Sequence, residues 1–158
     1  NEVAAQWGEK LAKLQKEQGC YEHKVTIYPE MGHWMKKKDA EAVPWMATKT
    51  RKAWPQKVIW GKSGKRSERF YWLGGKPKDV VIASVKGQEI VIKGAGKTPL
   101  TLFLNDKLLD LDEPVKVFLD DKEVYNGKLA RTQEAIQQSF KQRLDPEMAA
   151  TAIISLKK

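Results

Sequence analysis

Residues 79–93 read DVVIASVKGQEIVIK, which is two β-rich runs separated by Lys86 and Gly87. A short break that contains glycine between two such runs is typical of a β-hairpin. We therefore predict a hairpin formed by Asp79–Val85 and Gln88–Lys93. The same alternation of apolar and polar residues continues on both sides of the hairpin, so we predict mainly β-strands in the region after Pro55.

The remainder of that region consists of further short strands and one helix. The strands are predicted at Lys57–Trp60, Arg69–Leu73, Pro99–Leu104, Val115–Leu119, Glu123–Tyr125 and Thr151–Leu156. Asp120-Asp121 forms the turn before Glu123, and Thr132 is a residue type that caps helices. The helix after that cap carries one apolar face, made of Ile136, Phe140 and Leu144. Short strands with regular turns predict a β-sandwich-like domain with one packed helix.

Helical periodicity opens the chain. Residues 2–18 carry one apolar stripe, made of Val3, Trp7, Leu11 and Leu14. This spacing predicts an amphipathic helix that ends at Gly19, where a left-handed residue is favoured.

A short strand and a second helix follow. Val25–Tyr28 is β-rich and is ended by Pro29, and Asp39 is the predicted cap of a helix that reaches about Thr48. One such strand cannot form a sheet. We therefore expect its partners to come from preceding sequence or from another chain.

Composition divides the chain near position 78. Residues 1–78 hold 17 Lys and Arg against 8 Asp and Glu, whereas residues 79–158 hold 12 of each. All six Trp lie at or before Trp72, so the two segments have different surroundings. The first segment therefore carries the whole net charge of +9.

Several classes of site are absent from the sequence. Cys20 is the only cysteine, which excludes an internal disulfide, and His23 and His33 are not at a metal-binding spacing. No apolar run is long enough to span a membrane, and no signal peptide is visible. The chain begins at Asn1 without an initiator Met, from which we expect a longer reading frame.

The stretch from Tyr28 to Met35 reads YPEMGHWM and contains the strongest candidate residue, His33. A histidine on a glycine-containing loop just beyond a strand can reach a serine hydroxyl at the carboxyl edge of a sheet. Trp34, next to it, is a candidate for lining a substrate pocket. The alternatives are a surface or packed histidine and a tryptophan that packs under the loop.

Four segments together resemble one family. They are Trp7…Leu11…Leu14, Tyr21–Pro29, Gly32–Met35 and Asp39–Met46. They resemble the end of the catalytic domain in exported bacterial α/β-hydrolases related to dienelactone hydrolases and prolyl-oligopeptidase-like esterases. Members often continue into a β-rich tail, which residues 54–60, 69–73 and 108–111 resemble more loosely. The resemblance implies an α+β chain, with the end of a hydrolase domain at residues 1–53 and a β-sandwich-like domain at 54–158.

On this resemblance His33 matches the catalytic base of a serine hydrolase that acts on esters or related acyl bonds. The family's serine nucleophile and its acid lie upstream, so the chain alone is expected to be inactive. Asp39 is near His33 but is interpreted as a helix cap, and Gly61–Lys65 imitates a serine elbow without its last glycine. The resemblance implies a secreted or periplasmic protein, no metal or organic cofactor, and pairing with the rest of its own catalytic domain.

The alternative function is a non-catalytic β-sandwich that binds a carbohydrate or another protein domain. Basic residues between positions 36 and 78 are interleaved with tryptophans, and we interpret them as a solvated face over a tryptophan-containing core. An acidic polysaccharide suits the same charge, whereas no nucleic-acid module is present and nucleic acid is not a predicted partner. Gly94–Thr98 imitates a phosphate loop but is followed by a strand, not a helix. An exposed sheet edge is expected to favour self-association.

Overall fold

A computed structural model describes residues 2–19, 22–32, 34–61 and 68–156. The chain falls into two compact units, an N-terminal unit (Asn1–Arg51) and a C-terminal unit (Lys52–Lys158). The described residues of the two units contain three α-helices and two β-sheets, which confirms the α+β class.

In the N-terminal unit, helix α1 spans Glu2–Gln18 and ends at Gly19, whose φ is 65°. The predicted helix and its glycine terminus are confirmed. However, the predicted apolar stripe is only partly covered, since Leu11 and Leu14 are half-buried while Val3 is 67% exposed and Trp7 is 53% exposed. None of the described residues 2–51 is buried.

The segment after α1 differs from the prediction. Residues 22–28 form no strand, although Val25–Tyr28 has a β-rich composition. A strand exists only when a neighbour completes its hydrogen bonds, and none of the described residues does so here. Pairing of this segment with another stretch of chain stays a prediction.

The second helical region begins later than predicted. A 3₁₀ segment, Met35–Glu41, includes Lys36 and Lys37 at positive φ, and helix α2 spans only Ala42–Ala47. Asp39 is therefore not the cap of α2. A helix capped at Asp39 would need an N–H from Pro44 in its second turn, whereas in α2 Pro44 lies in the first turn, where no N–H is required.

Within the described part of the C-terminal unit there are nine strands. They are β1 (Lys57–Trp60), β2 (Arg69–Phe70), β3 (Leu73–Gly75), β4 (Val81–Lys86), β5 (Glu89–Lys93), β6 (Leu100–Leu104), β7 (Val115–Leu119), β8 (Lys122–Gly127) and β9 (Ala152–Leu156). One sheet has the order β1-β4-β5-β7-β8 and the other β2-β3-β6-β9. All neighbours are antiparallel except β5 and β7, which are parallel.

Local signals predicted the turns of this unit well. The β4–β5 hairpin reverses at Gly87, and Asp120 and Asp121 both have positive φ in the turn between β7 and β8. The predicted strand at Arg69–Leu73 is instead two strands. Tyr71, with φ 51°, reverses the chain between Phe70 and Leu73 and directs the Trp72 side chain into the core.

Both sheets contribute to one hydrophobic core. Its fully buried members include Trp72, Leu73, Val81, Ile90, Ile92, Leu102, Leu104, Val115 and Val117. Two sheets that share a core are the sandwich-like arrangement expected from short alternating strands. Trp60 and Trp72 belong to this core, as the interpretation of the basic region required, whereas Trp34 is 87% exposed and does not fit it.

Helix α3 (Gln133–Arg143) packs through a face that the sequence did not indicate. Its cap is confirmed, because Thr132 Oγ1 accepts a hydrogen bond from the Ala135 N–H at 3.0 Å. The apolar face predicted from Ile136, Phe140 and Leu144 is wrong, since these side chains are 43%, 39% and 74% exposed. The buried residues are Ala135 and Ser139, whose small side chains allow close approach to the neighbouring backbone. Ser139 Oγ also accepts a hydrogen bond from the Ala150 N–H at 2.8 Å.

Candidate functional site

The predicted general base, His33, lies outside the described residues, as do Cys20 and Lys62–Ser67. The chain on both sides of His33 is described, and hydrogen bonds join its two flanks. Tyr28 precedes His33, and Lys38 and Glu41 follow it. These three residues form one hydrogen-bonded cluster.

In this cluster Tyr28 Oη donates to Glu41 Oε2 at 2.7 Å, and Lys38 Nζ donates to Glu41 Oε1 at 2.9 Å. The bond from Lys38, followed by that from Tyr28, lowers the pKa of Glu41. The bond to Glu41 raises the pKa of Tyr28 and also that of Lys38. None of these shifts moves a group toward neutral pH, so the cluster fixes the segment rather than supplying a general base.

A cavity of about 320 Å³ lies beside this cluster in the N-terminal unit. Its lining includes Tyr28, Asp39, Glu41 and Trp45. Trp34, the predicted pocket residue, is not part of this lining and is 87% exposed. A role for Trp34 in binding stays a prediction.

A larger cavity, of about 640 Å³, lies in the C-terminal unit. Its floor is the β3–β6 pair, where Gly74 is opposite Thr101. A Cβ at position 74 would lie 2.7 Å from Phe103 Cε2, so the glycine leaves room for the phenylalanine ring. Gly74 thus permits a close approach that any side chain would prevent.

The guanidinium of Arg69 also contacts the ring of Phe103. Its guanidinium carbon lies 4.2 Å from the centroid of Phe103, and its side chain donates to the carbonyls of Tyr71, Ser139 and Met148 at 2.9, 3.0 and 2.7 Å. Burial, followed by repulsion from Arg143, lowers the pKa of Arg69 to about 10. Burial of the charged Arg69 guanidinium is thus unfavourable, and its hydrogen bonds to three carbonyls offset the lost hydration free energy.

Those bonds also position the cavity's helical wall. Ser139 lies on α3, and Gln138 and Gln142 of the same helix line the cavity. Both glutamine side chains are exposed and are four residues apart, so they point the same way. Arg69 therefore anchors the helix that carries these two glutamines.

The rim of the cavity is basic and hydroxylated. It includes Lys76, Lys78, Lys97, Thr98 and Thr101, with the carboxylates of Glu68 and Asp79. The sequence analysis missed this site, because its residues come from separate strands, loops and a helix. A signal was present in Gly74-Gly75, since glycine inside a strand pattern indicates close approach of other groups.

The loop at Gly94–Thr98 forms part of this rim and is not a phosphate loop. The Gly94 N–H donates to Asp120 Oδ1 at 2.9 Å, and the Thr98 N–H donates to the Ala95 carbonyl at 3.0 Å. Strand β6 follows at Leu100, as predicted. Two of the amides that a phosphate would need are thus already engaged.

Residues 2–19, 22–32, 34–61 and 68–156 contain no group of three or more His, Cys, Asp or Glu residues that could hold a metal ion. No helix in those ranges combines the length and apolar character that crossing a bilayer requires.

Comparison with known proteins adds no family. No protein-family model, no curated protein and no solved structure matches this chain.

Proposed function

We propose that residues 1–53 are the end of the catalytic domain of a serine hydrolase, and that residues 54–158 are its β-rich C-terminal domain. The hydrolase acts on esters or related acyl bonds and is exported to the periplasm or beyond. The chain by itself is inactive, because the serine nucleophile and the acid belong to preceding sequence. One observation carries this proposal: none of the described residues 2–51 is buried.

The described residues 2–51 have amphipathic helical and β-rich patterns but no buried side chain. This combination is expected of a piece of a larger domain. Val3, Trp7 and Val43 are more than half exposed, and Val25 and Ile27 are 39% and 41% exposed in a segment without a partner strand. Further strands of the same domain would cover these side chains and complete the backbone hydrogen bonds.

In the intact hydrolase, His33 takes the proton from the serine hydroxyl as the serine attacks the acyl carbon. It then returns that proton to the leaving group. The bond of Tyr28 to Glu41 joins the chain before His33 to the chain after it, and Lys38 bonds to the same carboxylate. Trp34 lines the substrate pocket in this proposal.

The test is to read the coding sequence upstream of Asn1 and to express the complete product. A strand, a Gly-x-Ser-x-Gly turn and a later acidic residue are expected there, together with labelling of the serine by a fluorophosphonate. His33→Ala should lower kcat by about 10⁴-fold or more. His23→Ala, the matched control at the other histidine, should leave kcat within about twofold. Absence of the serine turn, or full activity of the His33 variant, would refute the proposal.

The 640 Å³ cavity favours a second function for the C-terminal unit: a non-catalytic module that binds a carbohydrate or another protein domain. The unit has its own hydrophobic core, so the residues that line the cavity belong to a folded domain. This function is compatible with the hydrolase proposal, since such a module can hold substrate near a catalytic domain. Calorimetric titration of the intact chain with oligosaccharides tests this binding function directly.

A further inference from the structure

We propose that the cavity of the C-terminal unit binds a short anionic oligosaccharide. Its carboxylate or sulfate groups would lie against Lys78 and Lys97, and its hydroxyls against Gln138 and Gln142 of α3. This inference rests on the second function above, a carbohydrate-binding module, and names the chemical class of its ligand.

The charge of the rim selects an anionic ligand. Lys76 is paired with Glu68 at 2.6 Å. In contrast, within the described ranges neither Lys78 nor Lys97 has a carboxylate within 4 Å, although both line the cavity and are exposed. The lining holds three lysines and two carboxylates, a net charge of +1, so Lys78 and Lys97 can attract an anion. A charged hydrogen bond is about twice as strong as a neutral one.

The walls favour a sugar among anions. Gln138 and Gln142 each offer a carbonyl acceptor and an amide donor, and Thr98 and Thr101 add hydroxyls. In the described part of the chain these four side chains make no hydrogen bond to one another or to other residues. Adjacent sugar hydroxyls, which both donate and accept, match such a set. Asp79, which also lines the cavity, can accept a hydrogen bond from a further sugar hydroxyl.

Pro99 supplies an exposed apolar contact for the ring of a sugar. Phe103 and Ala95 are only 1% and 3% exposed, so they shape the floor from beneath and do not contact the ring directly. The cavity volume of about 640 Å³ accommodates two or three sugar units. A nucleotide is disfavoured, because the amides of Gly94 and Thr98 already bond to Asp120 and Ala95.

The experiment is calorimetric titration of the intact chain with trigalacturonate, a sulfated disaccharide, maltotriose and inorganic phosphate. We expect the two anionic saccharides to bind at least tenfold more tightly than maltotriose or phosphate. The saccharide that binds more tightly shows whether the site prefers a ligand with carboxylate groups or one with sulfate groups. Binding should weaken as the salt concentration rises.

Two double variants with the same change in net charge separate this site from general attraction to a basic protein. Lys78→Gln with Lys97→Gln should weaken binding of the anionic saccharides about tenfold. Lys86→Gln with Lys107→Gln, at exposed positions outside the cavity lining, should change it less than twofold. Gln138→Leu with Gln142→Leu should also weaken binding, with thermal melting showing that each variant is folded.

The outcomes are distinct. Equal effects of the two lysine pairs, or maltotriose binding as tightly as trigalacturonate, would overturn the anionic specificity while leaving a carbohydrate module. Tight phosphate binding alone would overturn the choice of a saccharide. A folded chain that binds none of the three saccharides would overturn both the inference and the carbohydrate-binding function on which it rests.

Discussion

Trp7 and Trp72 show how differently the two units use the same residue type. Trp7 lies on α1 with Lys10 Nζ 4.8 Å from its ring centroid, and more than half of its surface is exposed. Trp72 is fully buried, and its Nε1 donates to the Pro55 carbonyl at 2.8 Å. The N-terminal unit thus has amphipathic patterns without a core, whereas the C-terminal unit has closed its core. The energetic consequences of side-chain changes should therefore differ sharply between them.

The largest expected effect separates these two tryptophans. Trp72→Ala removes a buried ring and leaves a cavity, so it should lower the free energy of unfolding by about 3–5 kcal/mol. Trp7→Ala should change it by about 0.5 kcal/mol or less, because its ring is already in water. Urea unfolding followed by circular dichroism measures both. A large loss from Trp7→Ala would show that the N-terminal unit has a core after all.

Buried and exposed cations offer the next comparison. Arg69→Met removes the bonds to the carbonyls of Tyr71, Ser139 and Met148, and should destabilise the C-terminal unit by about 2–3 kcal/mol. Lys13→Met removes only an exposed 3.8 Å ion pair with Glu17 and should have almost no effect. Thermal melting of the two variants gives the contrast. Equal melting temperatures would mean that Arg69 does not hold α3 in place.

A smaller effect is expected at the floor of the large cavity. Gly74→Ala places a methyl group 2.7 Å from Phe103 Cε2, which the ring must avoid, at a cost of about 1–2 kcal/mol. Gly61→Ala is the control, because no described atom lies within 4 Å of the added carbon. Denaturant unfolding measures the cost, and unchanged stability of the Gly74 variant would contradict the packing of Phe103 against the strand.

The smallest expected effect depends on pH. Hydrogen bonds from Arg131 lower the pKa of Asp106 and of Asp112, so this stabilisation is present above the usual pKa of an aspartate, near 4, and is lost as the pH falls through the lowered values. Asp106→Asn should therefore lower the melting temperature at pH 7 more than at pH 3. Glu41→Gln, in the N-terminal unit, should leave the melting of the C-terminal unit unchanged at both pH values. If Asp106→Asn lowered the melting temperature more at pH 3 than at pH 7, the assigned direction of the pKa shift would be wrong.

Local signals were sufficient for some of this structure. The hairpin at residues 79–93, the turn at Asp120-Asp121 and the cap at Thr132 were all predicted, because each depends on a few neighbouring residues. The burial of Trp60 and Trp72 followed from their place in β-rich runs. The proposed role of His33 depends on a resemblance, and its test requires the rest of the catalytic domain.

Other features depended on contacts between distant residues. The apolar face of α3 was assigned to Ile136 and Phe140, yet Ala135 and Ser139 face the protein, because small side chains let the helix approach the backbone closely. The parallel pairing of β5 with β7 joins strands that are not consecutive, and no local pattern specifies it.

The sequence by itself determined the α+β class, the positions of most strands and turns, and the uneven distribution of charge, because alternation, turn residues and composition are properties of short stretches. Only the tertiary structure decided which face of α3 is buried, that Arg69 would be enclosed among carbonyls, and that Lys78, Lys97, Gln138 and Gln142 would surround one cavity. These outcomes depend on which surfaces fit together at close range, and residues far apart in the chain determine that fit.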